Sequence, residues 1–292
     1  MTINRRRAPS SKISSEKKKD GHKNEVIFAS LIKGEVIKGT QKGDVKDSFN
    51  NSYSVKGGKK WQIFLYTRKR IEESIYLNIL KPCIDSFPND YEKYLKDRVA
   101  CISFKEKYIK ENGREAGKLL SNEEVIKELG ENVYFSSKNL LNKNNNIISR
   151  KLLDKEVLKN FYNEALFNNN EVKFLTIKDN RIKDRNVFKI FTKDDVLNIL
   201  TEKTFPQISK AGRVPEDLNI KGQKILLCYK KNNGIFKNIV EIEVRNESED
   251  KYRLLRFNMY SKDALDLLEK LPKKLINNSI VAYGEANDKF SL

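Results

Sequence analysis

The chain has 292 residues, of which 38% are hydrophobic, 34% charged and 10% aromatic, a composition typical of a folded protein with one large domain or two smaller ones. With 58 Lys and Arg against 40 Asp and Glu, the net charge of +18 indicates a polyanionic partner, usually nucleic acid, although a basic chain without such a partner is the alternative. No apolar run reaches the roughly 18 residues of a membrane span, and the basic N-terminus lacks the apolar stretch of a secretory signal.

The N-terminal part of the chain predicts an arm, a helix, a hairpin and a second helix. Residues 1–20 are basic and nearly lack apolar side chains, which predicts a disordered arm that either lies along phosphates or only solubilises the chain. Residues 21–34 have apolar side chains at helical spacing and end at a glycine. Short extended segments follow, and Asn50-Asn51 predicts the turn of a hairpin. Residues 59–80 predict a long helix with an apolar stripe.

The rest of the chain predicts a helical middle and a β-rich end. Residues 81–170 are mainly helical in pattern, with a polar loop at 142–146. Two strands and a capped helix follow, and the Pro-containing stretch from Phe205 to Pro215 predicts a linker. Beyond it, alternating apolar residues predict three strands, and a helix begins at Ser261.

Cysteine and histidine usage limits the possible chemistry. Cys83, Cys101 and Cys228 are odd in number and widely separated, which favours reduced thiols and a cytoplasmic location. His22 is the one histidine, so zinc fingers, HNH nucleases and Ser-His-Asp hydrolases lack their required side chains. Any hydrolysis must therefore depend on carboxylates, lysine and a hard metal ion.

The hairpin around Asn50-Asn51 contains the main functional signal. Ser54 and Lys56 are two residues apart on one predicted strand, so their side chains share a face. Asp44 begins the partner strand and can approach the same end of the sheet, and Glu25 on the preceding helix can add a second carboxylate. A carboxylate can hold Mg²⁺, which prefers oxygen ligands, and a nearby lysine can orient or deprotonate water.

This arrangement of Asp44, Ser54-Val55-Lys56 and Glu25 resembles the motif of PD-(D/E)xK nucleases. The resemblance implies an α/β fold, with a restriction-endonuclease-like core whose mixed central sheet is flanked by helices. It also implies that Asp44 and the Val55 carbonyl bind Mg²⁺, that Lys56 positions water, and that Glu25 is a direct or indirect metal ligand. The family has an acid where this chain has Ser54, and the neutral residue favours one ion over two.

A second resemblance lies just beyond Lys56. Gln62 and Tyr66 are similar to the Q-x-x-x-Y motif of RecB-type nucleases and would face the same way if the segment is helical. Together the two resemblances cover residues 21–76.

The sequence thus predicts three parts. These are a disordered arm over 1–20, a catalytic domain over 21–204 with a helical insertion around 81–170, and a smaller C-terminal β/α part over 205–292 that recognises DNA. The predicted function is that of a site-specific type II restriction endonuclease that cuts double-stranded DNA as a homodimer, with Mg²⁺ and no small-molecule cofactor. The DNA-contacting residues predicted in the catalytic part are Lys46, Lys59, Lys60, Arg68, Lys69 and Arg70.

Other interpretations remain open at this stage. The chain can instead be a non-catalytic DNA- or RNA-binding protein, an interpretation that Ser54 supports, or a repair or recombination nuclease on the same fold. Asp44 can be a simple turn residue, Lys56 a solvated strand end and Glu25 an acid that complements the helix dipole. Gln62 can likewise be a surface amide and Tyr66 an aromatic at the core edge. Glu241 and Glu243 share one strand face and are a rival metal pair, but the apolar residues that alternate with them favour a half-solvated strand instead.

Overall fold

The computed structural model describes residues 11–38, 42–182, 184–209, 224–246 and 248–290. The helices are α1 (Ser11–Leu31), α2 (Arg68–Glu73), α3 (Lys81–Asp85), α4 (Tyr91–Leu119), α5 (Asn122–Leu129), α6 (Val133–Lys151), α7 (Lys155–Phe167), α8 (Lys193–Lys203), α9 (Ser261–Leu268) and α10 (Ala286–Lys289). The strands are β1 (Glu35–Val36), β2 (Val45–Lys46), β3 (Ser52–Lys56), β4 (Lys60–Tyr66), β5 (Phe174–Lys178), β6 (Phe188–Thr192), β7 (Phe205–Ile208), β8 (Lys224–Lys230), β9 (Phe236–Arg245), β10 (Leu254–Tyr260), β11 (Lys273–Asn277) and β12 (Ile280–Tyr283).

The chain forms two compact units, and each draws on separate stretches of sequence. The first unit contains the described residues of Met1–Trp61, Leu166–Ile199 and Ala264–Leu292. The second unit contains those of Gln62–Ala165 and Leu200–Asp263. The fold is α/β, with one sheet assigned to each unit.

The first unit has a mixed seven-stranded sheet in the order β1-β2-β3-β5-β6-β12-β11. The β2–β3 hairpin is antiparallel and pairs Val45 with Tyr53. β3 runs parallel to β5, β5 antiparallel to β6, and β12 parallel to β6. A parallel pair needs a long connection, and the second unit's first stretch lies between β3 and β5.

Helix α1 covers one face of this sheet. The buried Phe28 ring lies 5.4 Å from the Tyr53 ring and 5.2 Å from the Phe188 ring. Tyr53 in turn stacks on Phe174 of β5 at 4.9 Å. Phe28, Tyr53 and Phe188 are each 0% exposed, and burying a large apolar side chain contributes about 1.5–3 kcal/mol. This contact fixes α1 to the face of β3 that contains Tyr53 and Val55.

The second unit has a five-stranded sheet in the order β4-β10-β9-β8-β7. Strands β7 to β10 are antiparallel, with Val240 and Ile242 of β9 buried on one face. The ring of Phe161 in α7 lies 5.6 Å from that of Phe257 in β10. The strands expected for this hairpin are present, but residues 239–243 of β9 are all buried, so burial does not alternate along it.

Residues 59–80 do not form the long helix that their spacing predicted. They form strand β4, a turn at Thr67 and the short helix α2. Trp61 and Ile63 are buried and Gln62 is exposed, which is the period of a strand. Over so short a segment, the apolar residues fit the helical period of about 3.6 and the strand period of two. Because the segment pairs with β10, it forms a strand.

The polar loop predicted at 142–146 is also wrong, because these residues lie inside α6. Tertiary contacts hold the asparagines in the helix. Asn144 Nδ2 donates to the Pro82 carbonyl at 2.8 Å, and the Cys83 thiol donates to Asn145 Oδ1 at 3.1 Å. Satisfied amides do not compete with the helix backbone.

The predicted boundaries differ from the two units. Helix α1 starts at Ser11, so residues 11–20 are helical, and residues 1–10 lie outside the described part of the chain. The linker predicted from Phe205 begins as strand β7, and residues 210–215 are not among those described.

Neither the predicted catalytic domain nor the C-terminal part is a single unit. Residues 21–204 are divided between the two units, and 264–292 return to the first unit, where β12 pairs with β6. No helix in the described ranges is long and apolar enough to cross a membrane. The three cysteines are buried free thiols.

Candidate active site

The predicted meeting of Asp44 and Lys56 is present in the hairpin. Lys56 Nζ lies 2.8 Å from Asp44 Oδ2, and the backbone N–H of Val55 donates to the same oxygen at 2.7 Å. The Ser54 hydroxyl is 3.3 Å from it. The side chains of Lys56 and Asp44 are 17% and 21% exposed, so the ion pair is partly shielded from water but open at one side.

Hydrogen bonds on both sides fix the backbone of Asp44. Its N–H donates to the Tyr53 carbonyl at 2.8 Å, and its carbonyl accepts from the Ile37 N–H at 3.0 Å. Asp44 is thus held between β1 and β3 just before β2 begins. A carboxylate on such a backbone has little conformational freedom, which favours a pre-arranged site.

Asp47 closes the turn of the hairpin. Its Oδ1 accepts from the N–H groups of Phe49 and Asn51 at 2.9 and 2.8 Å, and its Oδ2 accepts from the Tyr53 hydroxyl at 2.7 Å. Burial alone would raise the pKa of Asp47, but the hydrogen bonds from Tyr53 and Asn51 outweigh it and lower the pKa. Asn50 adopts a φ of 66°, which asparagine tolerates in tight turns. These contacts set the register that places Asp44 beside Lys56.

Asp44, Ser54 and Lys56 lie on the sheet face opposite α1. Tyr53 and Val55 point toward α1, so the intervening positions of β3 point away from it. Directly across from Lys56 is Ile177 of β5. The site thus belongs to the second face of the sheet, at the end where β3 and β5 finish.

Glu25 lies on α1 and therefore packs on the other side of the sheet. Its Oε2 lies 3.1 Å from His22 Nδ1 in the same helix. The neighbouring Asn24 approaches Gly57, where an added Cβ would lie 2.6 Å from Asn24 Nδ2. Lys178 Nζ donates to Asn24 Oδ1 at 3.1 Å. Glu25 is close to the end of β3, but the observed contacts do not join it to Asp44.

The residues at this site fit a minimal Mg²⁺ site with one ion. The N–H and C=O of a strand residue point to the same edge, so the Val55 carbonyl faces the side on which its N–H meets Asp44. Mg²⁺ accepts one or two protein ligands and keeps several waters. Across the described ranges, no three His, Cys, Asp or Glu side chains form a group able to hold a metal. Asp44 and Val55 are the candidate ligands, and Glu25 has no such placement.

Gln62 and Tyr66 do not lie on a helix, contrary to expectation. Both belong to β4, with Gln62 exposed and Tyr66 5% exposed. They are assigned to the second unit, whereas Asp44 and Lys56 belong to the first. Residues four apart share a face on a strand as they do on a helix, so the Q-x-x-x-Y resemblance stays a prediction. The guanidinium of Arg70 lies 4.7 Å from the centre of the Tyr66 ring, which gives this tyrosine a packing role.

The predicted DNA-contacting residues differ in their availability. Lys59 and Lys60 are exposed after β3, and Lys46 is half-buried on β2. Arg68 instead contacts Glu72 and Asp85 at 2.9 and 3.1 Å. Lys69 Nζ lies 3.8 Å from Glu73 Oε1, and the Arg70 guanidinium lies over the Tyr66 ring. The β3–β4 turn thus presents two exposed cations, Lys59 and Lys60.

A second ionic cluster lies on the same sheet face and was not predicted. Asp179 follows β5 and is 2% exposed, and it accepts two bonds from Arg181 at 2.8 and 2.9 Å. Lys189 of β6 contacts both Asp179 and Glu269 of the α9 end. Burial would raise the pKa of Asp179, but the bonds from Arg181 and Lys189 hold it well below its usual value.

Sequence offered a weak signal for this cluster. Lys189 lies across from Ile177, and Ile177 across from Lys56, so all three side chains share a row. An isolated lysine inside the apolar run of β6 was the available hint, since lysine is rarely buried without a partner. Which acid it meets depends on the sheet order.

The rival pair Glu241 and Glu243 is buried among cations. Lys224 and Arg256 each contact both carboxylates, and the Tyr260 hydroxyl donates to Glu241 Oε2 at 2.8 Å. Their side chains are only 7% and 8% exposed, so the half-solvated strand expected here is wrong. The cationic partners account for both charges without a metal ion.

The chain matches no protein-family model, and neither a curated protein nor a solved structure is significantly similar to it. The resemblance to PD-(D/E)xK nucleases therefore stays a prediction, carried by the geometry of Asp44, Val55 and Lys56.

Proposed function

We propose that this chain is a Mg²⁺-dependent deoxyribonuclease, specifically a site-specific type II restriction endonuclease that acts on duplex DNA as a homodimer. One observation carries the proposal. Lys56 Nζ and the Val55 N–H meet a single oxygen of Asp44, at 2.8 and 2.7 Å, on adjacent strands at one end of a mixed sheet. The carboxylate, the carbonyl and the ammonium are the groups that this reaction needs.

The roles of the residues follow from their positions. Asp44 and the Val55 carbonyl would hold Mg²⁺, which when bound neutralises charge that develops on the phosphate. Lys56 lies beside the same carboxylate and can orient a water toward the phosphorus. The Ser54 hydroxyl at 3.3 Å orients Asp44 rather than adding a second charge. The partial burial of the pair strengthens these electrostatic interactions relative to water.

The charge of the whole chain supports DNA as the substrate. A net charge of +18 attracts a polyanion, and Lys59 and Lys60 place exposed cations four residues or fewer beyond Lys56 in sequence. Phosphates bound there would lie near the candidate site. A duplex cut on both strands needs two active centres, which is the reason for proposing a dimer.

One observation favours the alternative of a DNA- or RNA-binding protein without catalysis. Asp44 Oδ2 already receives the Val55 N–H and Lys56, and in the described part of the chain no second acid completes a metal group. In that case the Asp44–Lys56 pair would only stabilise the hairpin, and the basic surface would supply the binding.

Cleavage of supercoiled plasmid separates these functions. Purified protein is incubated with plasmid in Mg²⁺ or in EDTA, and Lys56→Ala protein prepared in parallel controls for contaminating nucleases. We expect Mg²⁺-dependent linear DNA and, on a long substrate, discrete fragments. A smear would favour a repair or recombination nuclease. Binding without any cleavage in Mg²⁺ or Mn²⁺ would contradict the nuclease proposal and support the binding protein.

A further inference from the structure

The hairpin that joins β8 and β9 extends beyond its neighbouring strands. β7 pairs with β8 as far as Cys228, and β10 pairs with β9 as far as Val240. Beyond these points β8 and β9 pair with each other, with Tyr229 opposite Lys237 and Lys230 opposite Phe236, and the Phe236 ring also lies 5.6 Å from the Phe205 ring of β7. The projecting segment is Lys230–Lys237. We call this segment the ribbon. It projects by roughly three residues on each strand, on the order of 10 Å.

The turn of the ribbon has a defined conformation. Lys231 N–H donates to the Ile235 carbonyl at 2.9 Å, and Gly234 N–H donates to the Lys231 carbonyl at 2.9 Å. Gly234 has a φ of 80°, the left-handed value that a three-residue hairpin loop requires at this place. The Asn233 side chain accepts from the Ile235 N–H at 3.2 Å. The tip is thus ordered by its own backbone and side-chain bonds.

The surface of the ribbon combines cations, amides and apolar side chains. Its eight residues include Lys230, Lys231 and Lys237, and the first acid beyond them in sequence is Glu241. Ile235 and Phe236 are 53% and 49% exposed at the tip. Large apolar side chains exposed at a projecting, basic tip are unexpected for a surface that meets only water.

We infer that the ribbon is a DNA-reading element that enters the major groove of duplex DNA. A two-stranded ribbon fits this groove, which is about 12 Å wide. The lysines match the phosphates that border the groove, exposed Asn232 can bond to a base edge, and Ile235 can contact a thymine methyl group. The inference rests on the proposed function for the identity of DNA as the partner.

The inference assigns different roles to different side chains. Lys230 and Lys237 supply affinity for any sequence, because phosphate contacts release counterions but carry no sequence information. Asn232 and Ile235 supply preference for one sequence over another. Asn233 supports the turn through its bond to Ile235 and is left unchanged in the test.

The test measures binding of the full chain to duplex DNA by fluorescence anisotropy, with Ca²⁺ in place of Mg²⁺ to prevent cleavage. Selection from a randomised duplex pool first identifies the preferred sequence. One variant combines Lys230→Gln with Lys237→Gln. Asn232→Ala and Ile235→Ser are two further single variants. Matched controls are Lys251→Gln and Ile75→Ser, which alter an exposed lysine and an isoleucine that is 78% exposed, both outside the ribbon.

We expect the double lysine variant to bind all duplexes more weakly and to lower the slope of log affinity against log salt by about two. We expect Asn232→Ala and Ile235→Ser to lose about tenfold on the preferred duplex and little on others. Both controls should match the unaltered chain.

The inference is overturned if the ribbon variants bind duplex DNA like the controls, or if the unaltered chain binds or prefers no duplex. It is also overturned if the ribbon variants change affinity for single-stranded RNA alone. Failure of cleavage with these binding effects intact would contradict the nuclease proposal and leave the ribbon's role standing.

Discussion

Lys56 Nζ lies 2.8 Å from Asp44 Oδ2, although the two residues are twelve positions apart in sequence. We predict that Lys56→Ala and Asp44→Ala each slow cleavage at least about 100-fold, the lower range for loss of one positioned catalytic group. Initial rates of plasmid cleavage in Mg²⁺ measure the effect. Lys274→Ala and Asp194→Ala serve as controls on exposed positions of the same unit. Near-normal rates with either active-site variant, in a folded protein, would refute the site.

Ser54 contacts the same carboxylate but has no charge. We predict that Ser54→Ala cleaves faster than Asp44→Ala, because a neutral hydroxyl contributes less than a carboxylate to binding a hard cation. The Mg²⁺ concentration that gives half-maximal cleavage should change little in Ser54→Ala. Equal losses in the two variants would show that Ser54 is itself essential. Because Ser54 is 1% exposed, circular dichroism should accompany the rates.

Asp179 is predicted to stabilise the first unit in a pH-dependent way. Its pKa is lowered in the folded state, so the stabilisation is complete above the unfolded pKa of about 3.9 and is lost as pH falls toward the folded value. Asp179→Asn should cost about 3 kcal/mol near neutral pH, because it breaks a buried ion pair. The difference from the unaltered chain should shrink below about pH 4.

Urea unfolding at a series of pH values measures this effect. Asp194→Asn is the control, since its side chain is 54% exposed and it lies in the same unit. A difference between Asp179→Asn and the unaltered chain that stays constant down to acidic pH would contradict the assigned cause.

Truncation after residue 204 is predicted to unfold the first unit. The lost segment contains β11 and β12, of which β12 pairs with β6 and contains the buried residues Ile280 and Ala282. Removing a strand exposes the edge and the apolar surface of its neighbour. Circular dichroism and proteolysis should report loss of structure. A truncated chain that folds and cuts DNA at one site would contradict both this expectation and the role of the ribbon.

Lys59 and Arg68 are predicted to differ in their effect on DNA binding. Lys59→Gln should lower the salt slope by about one, because an exposed lysine can neutralise one phosphate. Arg68→Gln should change it less, because Glu72 and Asp85 already engage the guanidinium. Binding to unrelated duplexes over a salt series compares the two. Equal effects would show that the Arg68 ion pairs open on binding.

The amino-acid sequence alone determined the net charge and several of the local structures. The turn residues and two-residue periodicity identified the β2–β3 hairpin, and with it the approach of Asp44 to Lys56, because register in a hairpin follows from its turn. The capped helix predicted after two strands is α8, where the Asp195 N–H donates to the Thr192 hydroxyl. The mixed sheet and its flanking helices agree with the predicted α/β class.

Tertiary structure decided which segments share a unit and which faces meet. Residues 59–66 fit a helix and a strand equally well by spacing, and pairing with β10 made residues 60–66 the strand β4. Glu25 lies on the side of the sheet opposite Asp44, because α1 packs against Tyr53. Lys189 meets Glu269, 80 positions further along the chain, because the segment from Ala264 returns to the first unit. Such pairings depend on contacts between residues distant in the chain, which local periodicity does not encode.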